Sequence, residues 1–321
     1  AKVIAAILTL AALARRWELS SPLLLWPGFL LLAPYAIQEL RYGNAQLLIV
    51  LLVIWAFLFA DHHPHSAGVI LGLAVALKVW PLFFLPCLLT LRRWRFTLTA
   101  TAATIVWTLV PVLWRGPMAQ FRLLGQWLVQ ERAIAATAAR TVGFWYPGQS
   151  LHDVLARYLT VVNYGLLPDS QYGQVAWLQL SPAALQWVWW TLSATLTFTM
   201  LLLLARRYAA PVDAAVAFLF CALLVLEPHV HRIIYVSLAW PALWLASERV
   251  HGRLTGLDAN LYWLSVAVAV LEPLIPGGGR QRWLQVYGTD FWLVLLPLTV
   301  VAVLRLWHPV RAFSMAKANS G

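Results

Sequence analysis

One lysine, Lys78, stands inside AGVILGLAVALKVWPLFFLPCLLTL at residues 67–91, a membrane-length apolar run in which Pro81 follows three residues later. A cation at membrane depth is costly unless water or an anion meets it. Phosphate or carboxylate is the fitting partner, because ion pairing offsets part of the desolvation cost. A second group of chemical residues is EPHVHR, where Glu227, His229, His231 and Arg232 gather beside Pro228 at the end of another apolar run. On a helix the two histidines would diverge, whereas in extended chain they would share a side. With no third or fourth ligand nearby they read as a hydrogen-bond donor or proton shuttle rather than a metal pair. Interfacial anchoring without chemistry is the plain alternative.

Three further features are weaker. Asp61-His62-His63-Pro64-His65 has the composition of a metal tract, yet it occupies a six-residue gap between apolar runs and is expected to be a solvated turn. GGGR at 277–280 lacks the strand, helix and lysine of a phosphate loop and is expected to be a flexible turn. Cys87 and Cys221 lie in apolar segments with no CxxC and no His/Cys cluster, so they read as packing residues.

The elements that must position these residues are membrane helices. The chain is 62% hydrophobic and 11% charged, beyond what a soluble domain of this length carries. Apolar segments fall at roughly 3–14, 22–38, 46–60, 67–91, 96–114, 187–205, 212–227, 233–247, 260–276 and 291–307. Several are short for a hydrocarbon core of about 30 Å, which suits half-spanning helices. Between them, 115–186 is mixed in charge and rich in Gly, Pro and aromatics, so it is expected to be a folded extracytoplasmic loop. Nineteen tryptophans, with Trp187, Trp189 and Trp190 at the entrance to one span, fit an interfacial belt. The expected architecture is all-α, a polytopic transmembrane bundle forming one integral membrane domain over 1–321. The chain opens without Met and already inside an apolar run, so it is expected to be a piece of a longer one.

The formal charge of +11 is spread over small groups rather than one stripe, which argues against nucleic acid. The groups Arg15/Arg16, Arg92/Arg93/Arg95, Arg206/Arg207, Arg249/Arg253 and Arg305/Arg311/Lys317 all favour the cytoplasmic side. Strict alternation of spans cannot satisfy all five. If the 67–91 segment breaks around Lys78 and Pro81 and returns to its own side, every group falls inside. Proline disfavours helix at the preceding residue and removes a hydrogen bond to the turn before it. Lys78 would then sit at the tip of a hairpin of two half-helices, 67–77 and 81–91; a single kinked helix with a snorkelling lysine is the other option. The hairpin places Asn44 and Gln46, the 115–186 loop, the Glu227–Arg232 run and the 277–290 stretch together on the outer side.

Several stretches, in order, resemble glycosyltransferase family 87, polyprenol-phosphate-mannose-dependent mannosyltransferases of the GT-C membrane fold. YGNAQLL is similar to the family's Gly-Gln-x-Asn motif, with Asn44 and Gln46 in exchanged order. AGVILGLAVALKVWP followed by LRRWR matches its Ala-Gly, Lys-x-x-Pro and basic pattern most specifically. Gly148-Gln149-Ser150-Leu151 with Arg157 resembles its Asn-Gln-Ser-Leu motif, with Gly148 in place of Asn. EPHVHRIIYVSLAWP resembles its Ser-Pro and histidine motif, with Glu227 in place of Ser and His231 the closer match.

The resemblance implies a bacterial inner-membrane hexosyltransferase that moves mannose from a polyprenyl-phosphate donor to a lipid or glycan acceptor on the outer face. It needs no cofactor and no metal, and its lipid-borne partners reach it through the surrounding membrane lipids. Lys78 would hold the donor phosphate with Arg157 and His231 nearby, while Asn44, Gln46, Gln149 and Ser150 would orient the sugar or the loop. Enzymes of this fold place an acidic residue in the first outer loop, which here would precede residue 1, so Glu227 or Asp153 is the in-chain substitute and His231 its catalytic neighbour. Two other readings use the same residues. A transporter or lipid flippase would also place a cation on a broken helix, but no internal repeat is visible. A catalytically inactive scaffold would bind prenyl lipid or a partner protein.

Overall fold

The computed structural model describes residues 2–140, 148–161, 175–206, 212–228, 230–276 and 278–307. They form a helical bundle with no β-strand among the described residues. Four helical stretches, Pro22–Tyr42, Trp94–Arg115, Pro182–Arg206 and Gly256–Leu274, are each long and apolar enough to cross a membrane.

The hairpin around Lys78 organises the first half. Helix α1 (Lys2–Arg16) leads through a 3-10 turn to α2 (Trp26–Tyr42), and α3 (Gln46–Phe59) runs back. Next, α4 (Pro64–Leu77) stops at Lys78, whose backbone is extended at φ −155° and ψ 129°. A 3-10 turn (Trp80–Phe83) and α5 (Phe84–Thr90) follow, and then α6 (Trp94–Leu109). Two glycines give the directions. A Cβ on Gly68 would lie 2.8 Å from the Ala100 nitrogen and one on Gly72 2.7 Å from the Thr104 nitrogen. Gly68 thus meets residue 100 and Gly72 meets residue 104, so α4 and α6 run parallel, and the short 80–90 arm between them must return. At the foot, Arg93 just after α5 pairs with Asp61 just before α4 at 3.1 Å. The break and the return are both as expected.

Two boundaries differ from expectation. Helix α4 begins at Pro64, where proline's missing N–H costs nothing at the first helical position. The turn therefore shrinks to Asp61–His63, and His65 lies in the helix with its Nδ1 2.9 Å from the Thr99 hydroxyl. Likewise GGGR is not simply a turn: from Gly278 it opens α14 (Gly278–Val286), while Gly277 lies outside the described residues.

In the 115–186 region, α7 (Val112–Arg115) leads to a long exposed helix, α8 (Pro117–Arg140), and then to α9 (Leu151–Leu159). Ser150 caps α9, its hydroxyl accepting from the Asp153 N–H at 2.9 Å. The second half comprises α10 (Pro182–Arg206), α11 (Val212–Leu226), a 3-10 segment (Arg232–Leu238), α12 (Ala239–Val250), α13 (Gly256–Leu271), α14 and α15 (Leu296–Trp307). Residues 214–224 of α11 are all buried, so this helix is the axis of the bundle. Phe84 of the returning arm meets Phe57 at 5.4 Å and Phe220 at 5.2 Å, and Phe57 meets Phe96 and Trp240. All four contacts are edge-on, an arrangement that the charge distribution of aromatic rings favours.

The two ends of the bundle differ in charge. At one end Arg16 bridges Asp61 at 3.3 Å and Asp213 at 2.8 Å. Arg305 pairs with Asp258 at 2.7 Å, and Arg249 lies 5.0 Å from the Trp263 ring. Trp263 also packs against Trp26 at the start of α2, the ring centroids 5.7 Å apart, which places the second-half arginines at the end holding Arg16. Lys78, Asn44, Gln46, Gln149 and Arg232 lie at the other end.

Cysteines introduced at Arg95 and His251 should react with an impermeant thiol reagent from one membrane side only, and one at Arg41 from the other; native Cys87 and Cys221 are buried and should stay silent. Labelling of the Arg95 and Arg41 positions from the same side would refute a returning arm. Gly72→Val should destabilise by about 1–3 kcal/mol, because the backbone it would strike cannot yield as a side chain can; an unchanged melting temperature would show that the α4–α6 contact is looser than described.

Candidate active site

Beside the hairpin tip is a cleft of about 340 Å³ lined by Trp80 and Phe83 on one side and by Leu223, Leu226 and Glu227 on the other. Lys78 lies two residues before Trp80. Its ammonium donates to Gln46 Oε1 at 2.7 Å, and the Gln46 amide donates onward to the Ser237 hydroxyl at 3.0 Å. Gln46 and Ser237 are fully buried, so among the described residues the ammonium is held by a neutral relay rather than by a contacting carboxylate. The carboxylates of Glu227 and Glu39 both act on that charge through space.

The turn before α3 sets the position of Gln46. Gly43 ends α2 at φ +67°, a conformation that glycine enters at little cost. Asn44 Oδ1 then accepts the Gln46 N–H at 3.2 Å, and the Asn44 carbonyl accepts from Lys2. Lys2 also pairs with the buried Glu39 at 3.0 Å, and Glu39 accepts the Leu47 N–H at 3.2 Å.

Gln149, Ser150 and Arg157 converge on backbone. The Gln149 N–H donates to the Val230 carbonyl at 2.7 Å, its side-chain amide to the Gln285 carbonyl at 2.8 Å, and the Ser150 hydroxyl to the Pro228 carbonyl at 2.6 Å. Gly148 forms an antiparallel bridge with His231. Arg157, fully buried, donates to the carbonyls of Gly148 and Val286, each at 2.8 Å. Tyr235 completes the knot by donating to the Gln149 carbonyl at 2.8 Å. On the surface beside it, burial raises the Tyr158 phenol above its ordinary range, so it stays a neutral donor to the Tyr287 carbonyl at 3.2 Å.

The structure therefore joins Lys78 to Gln46, with Asn44 supporting Gln46, and places Glu227 on the wall of the neighbouring cleft, close enough to act on the Lys78 charge. Ser150 and Gln149 hold Pro228 and Val230, which lie just after Glu227, while Arg157 holds Gly148 and Val286. His231 is exposed and extended at the head of the 3-10 segment; His229 lies outside the described residues. Asp153 sits in the first turn of α9, 3.8 Å from the ring of His152, which packs on Trp189. Trp189 is thus a packing residue, whereas Trp187 and Trp190 are exposed. No group of three or more His, Cys, Asp or Glu capable of holding a metal occurs among the described residues.

Sequence reasoning missed Glu39, Ser237, Tyr35, Glu272 and Asp290, all buried at this end. One signal was present: Leu-Glu-Pro closes α11 at Leu226-Glu227-Pro228 and recurs after α13 at Leu271-Glu272-Pro273. In each case an acidic residue stands where proline stops a membrane helix.

No curated protein and no solved structure matches the chain. The sequence model of Glycosyltransferase family 87 matches residues 1–226, from the start of α1 to the last residue of α11, and so takes in the hairpin, the Lys78 cleft wall and the Gln149–Arg157 grip. With most of its length and its broken helix inside that match, this membrane protein belongs to glycosyltransferase family 87.

Proposed function

We propose that the chain transfers a hexose, mannose by the resemblance of its motifs, from a polyprenyl-phosphate donor to a hydroxyl of a lipid or glycan acceptor, at the bundle end opposite its arginine groups. By charge asymmetry that end faces outward from a bacterial inner membrane. The observation that carries the reading is the position of Lys78 beside the cleft wall that bears Glu227.

In this reading the donor phosphate meets the Lys78 ammonium while its lipid chain stays in the bilayer. As the acceptor oxygen attacks the anomeric carbon, the bond from that carbon to the phosphate oxygen breaks and negative charge grows on the leaving phosphate. A preorganised cation in a water-poor site favours that change, and groups of this kind contribute roughly 10²–10³ in rate. The acceptor hydroxyl must lose a proton. Glu227, across from the lysine, is the in-chain base, with His231 as the neighbouring donor or shuttle. Asn44 and Gln46 keep Lys78 aimed; Gln149 and Ser150 hold Val230 and Pro228 between Glu227 and His231, and Arg157 holds Gly148, the bridge partner of His231.

Transfer of radiolabelled mannose from polyprenyl-phosphate mannose to membrane lipids or glycan should be measured for the parent, Lys78→Ala and Glu227→Gln in liposomes. Lys78→Ala should lose about 100-fold or more, and Glu227→Gln a similar amount with near-normal donor affinity. Equal transfer by the parent and Lys78→Ala would sink the phosphate role. A folded parent with no transfer would sink this donor class.

A further inference from the structure

Arg232 follows His231 directly and is buried among groups from three other elements. Its Nε lies 2.8 Å from Asp290 Oδ2, a second guanidinium nitrogen pairs with Glu272, and its Cζ stands 5.7 Å from the Tyr35 ring. Tyr35 in α2 donates its hydroxyl to Asp290 Oδ1 at 2.7 Å. Glu272 follows α13, and Asp290 precedes the π-helical turn Phe291–Leu295 that leads into α15. One guanidinium thus ties α2, α13 and the start of the last helix to the residue after His231. None of Arg232, Glu272 and Asp290 falls within the family match.

What this clamp can hold follows from the segment before it. Regular helical bonding ends with the Glu227 N–H on the Leu223 carbonyl, and Pro228 has no N–H to offer. The chain is then gripped at Pro228 and Val230 by Ser150 and Gln149. Its far end is anchored by the Arg232 side chain. Glu227 is thus fixed from the α11 side by its N–H bond to Leu223, and His231 from the other side by its bridge to Gly148 and by the clamp on its neighbour Arg232. A planar fork can face two carboxylates at once, which an ammonium cannot do.

We propose that Arg232, clamped by Asp290, Glu272 and Tyr35, is a positioning residue that acts through the 227–231 segment to hold Glu227 and His231 in register with Lys78. The proposal rests on the reading above that Glu227 and Lys78 serve one reaction.

The test compares Arg232→Lys, Asp290→Asn and Glu272→Gln in the whole chain by two readouts. The first is hydrogen exchange of peptides covering 148–150 and 231–235, whose reporters are the Gln149 amide on Val230 and the Ile234 amide on His231. Arg232→Lys and Asp290→Asn should speed exchange there tenfold or more while α11 keeps its protection. Glu272→Gln, which leaves one carboxylate opposite one guanidinium, should stay within threefold of the parent. The second readout is transfer from polyprenyl-phosphate mannose: kcat should fall tenfold or more in the first two variants, with the donor KM within twofold. Unchanged exchange at the two reporters, acceleration spread evenly over the bundle, or local acceleration with unchanged kcat would each overturn the proposal. If the parent transfers nothing from this donor, the donor reading fails by itself, and the exchange data still decide whether Arg232 holds the segment.

Discussion

The hydrogen bond from the Lys78 ammonium to Gln46 joins two elements that meet the membrane in different ways. Helix α3 runs from the polar end to the foot of the hairpin as one unbroken helix, whereas the α4–α5 hairpin enters and returns. A lysine on a continuous helix would have to snorkel to water or sit at high cost in hydrocarbon. By ending the helix at Leu77, the chain frees a stretch of backbone, and non-helical backbone at such depth is tolerated only against protein or a watered cavity. The Gln46–Ser237 relay supplies the protein, and the cleft beside Trp80 supplies the open side. Break, cation and cleft are thus one physical solution.

The same economy runs through the rest of the polar end. Buried ionic groups there come in connected sets: Lys2 with Glu39, Arg157 with two carbonyls, and Arg232 with Asp290 and Glu272. Each ion is costly to bury alone, and removing one partner of a buried pair typically destabilises by about 3–5 kcal/mol. Such sets add little net stability, so what they supply is definition of shape. At the opposite end the Arg16, Asp61, Asp213 and Arg93 contacts close the feet of the hairpin and the start of α11 together. One end is pinned by ion pairs between helix termini and the other by buried ion pairs together with side chains reaching backbone, with an aromatic and aliphatic core between.

What could be read in the sequence was local in origin. Proline three residues after Lys78 disrupts a helix by its own covalent geometry, and arginines near span ends mark one end of the bundle without reference to any partner, so the hairpin and the gathering of Arg16, Arg93, Arg249 and Arg305 at one end followed. The boundary at Pro64 was misplaced because histidines suggested a solvated turn, although proline at the first helical position is favourable. The distant partnerships were out of reach. Asp290 finds Arg232 and Tyr35 only after α13 and α15 have packed, and Glu39 is an ordinary charge near a loop until Lys2 folds over it. Gln149, Ser150 and Arg157 stood out as a motif, yet their geometry, with every described side-chain bond ending on main chain, depends on where 228–230 and 285–286 come to lie.

The length of α4 also works as a ruler. Fourteen residues at 1.5 Å each reach about 21 Å for a helix standing along the membrane normal, against a hydrocarbon core of about 30 Å. A hairpin rooted at the arginine-rich boundary therefore presents its lysine roughly 9 Å short of the far boundary by that geometry, below the level of lipid headgroups. On the proposed reading, a ligand reaching that cation lowers its charged group into the membrane, which suits a molecule tethered to a hydrocarbon tail better than a water-soluble sugar nucleotide.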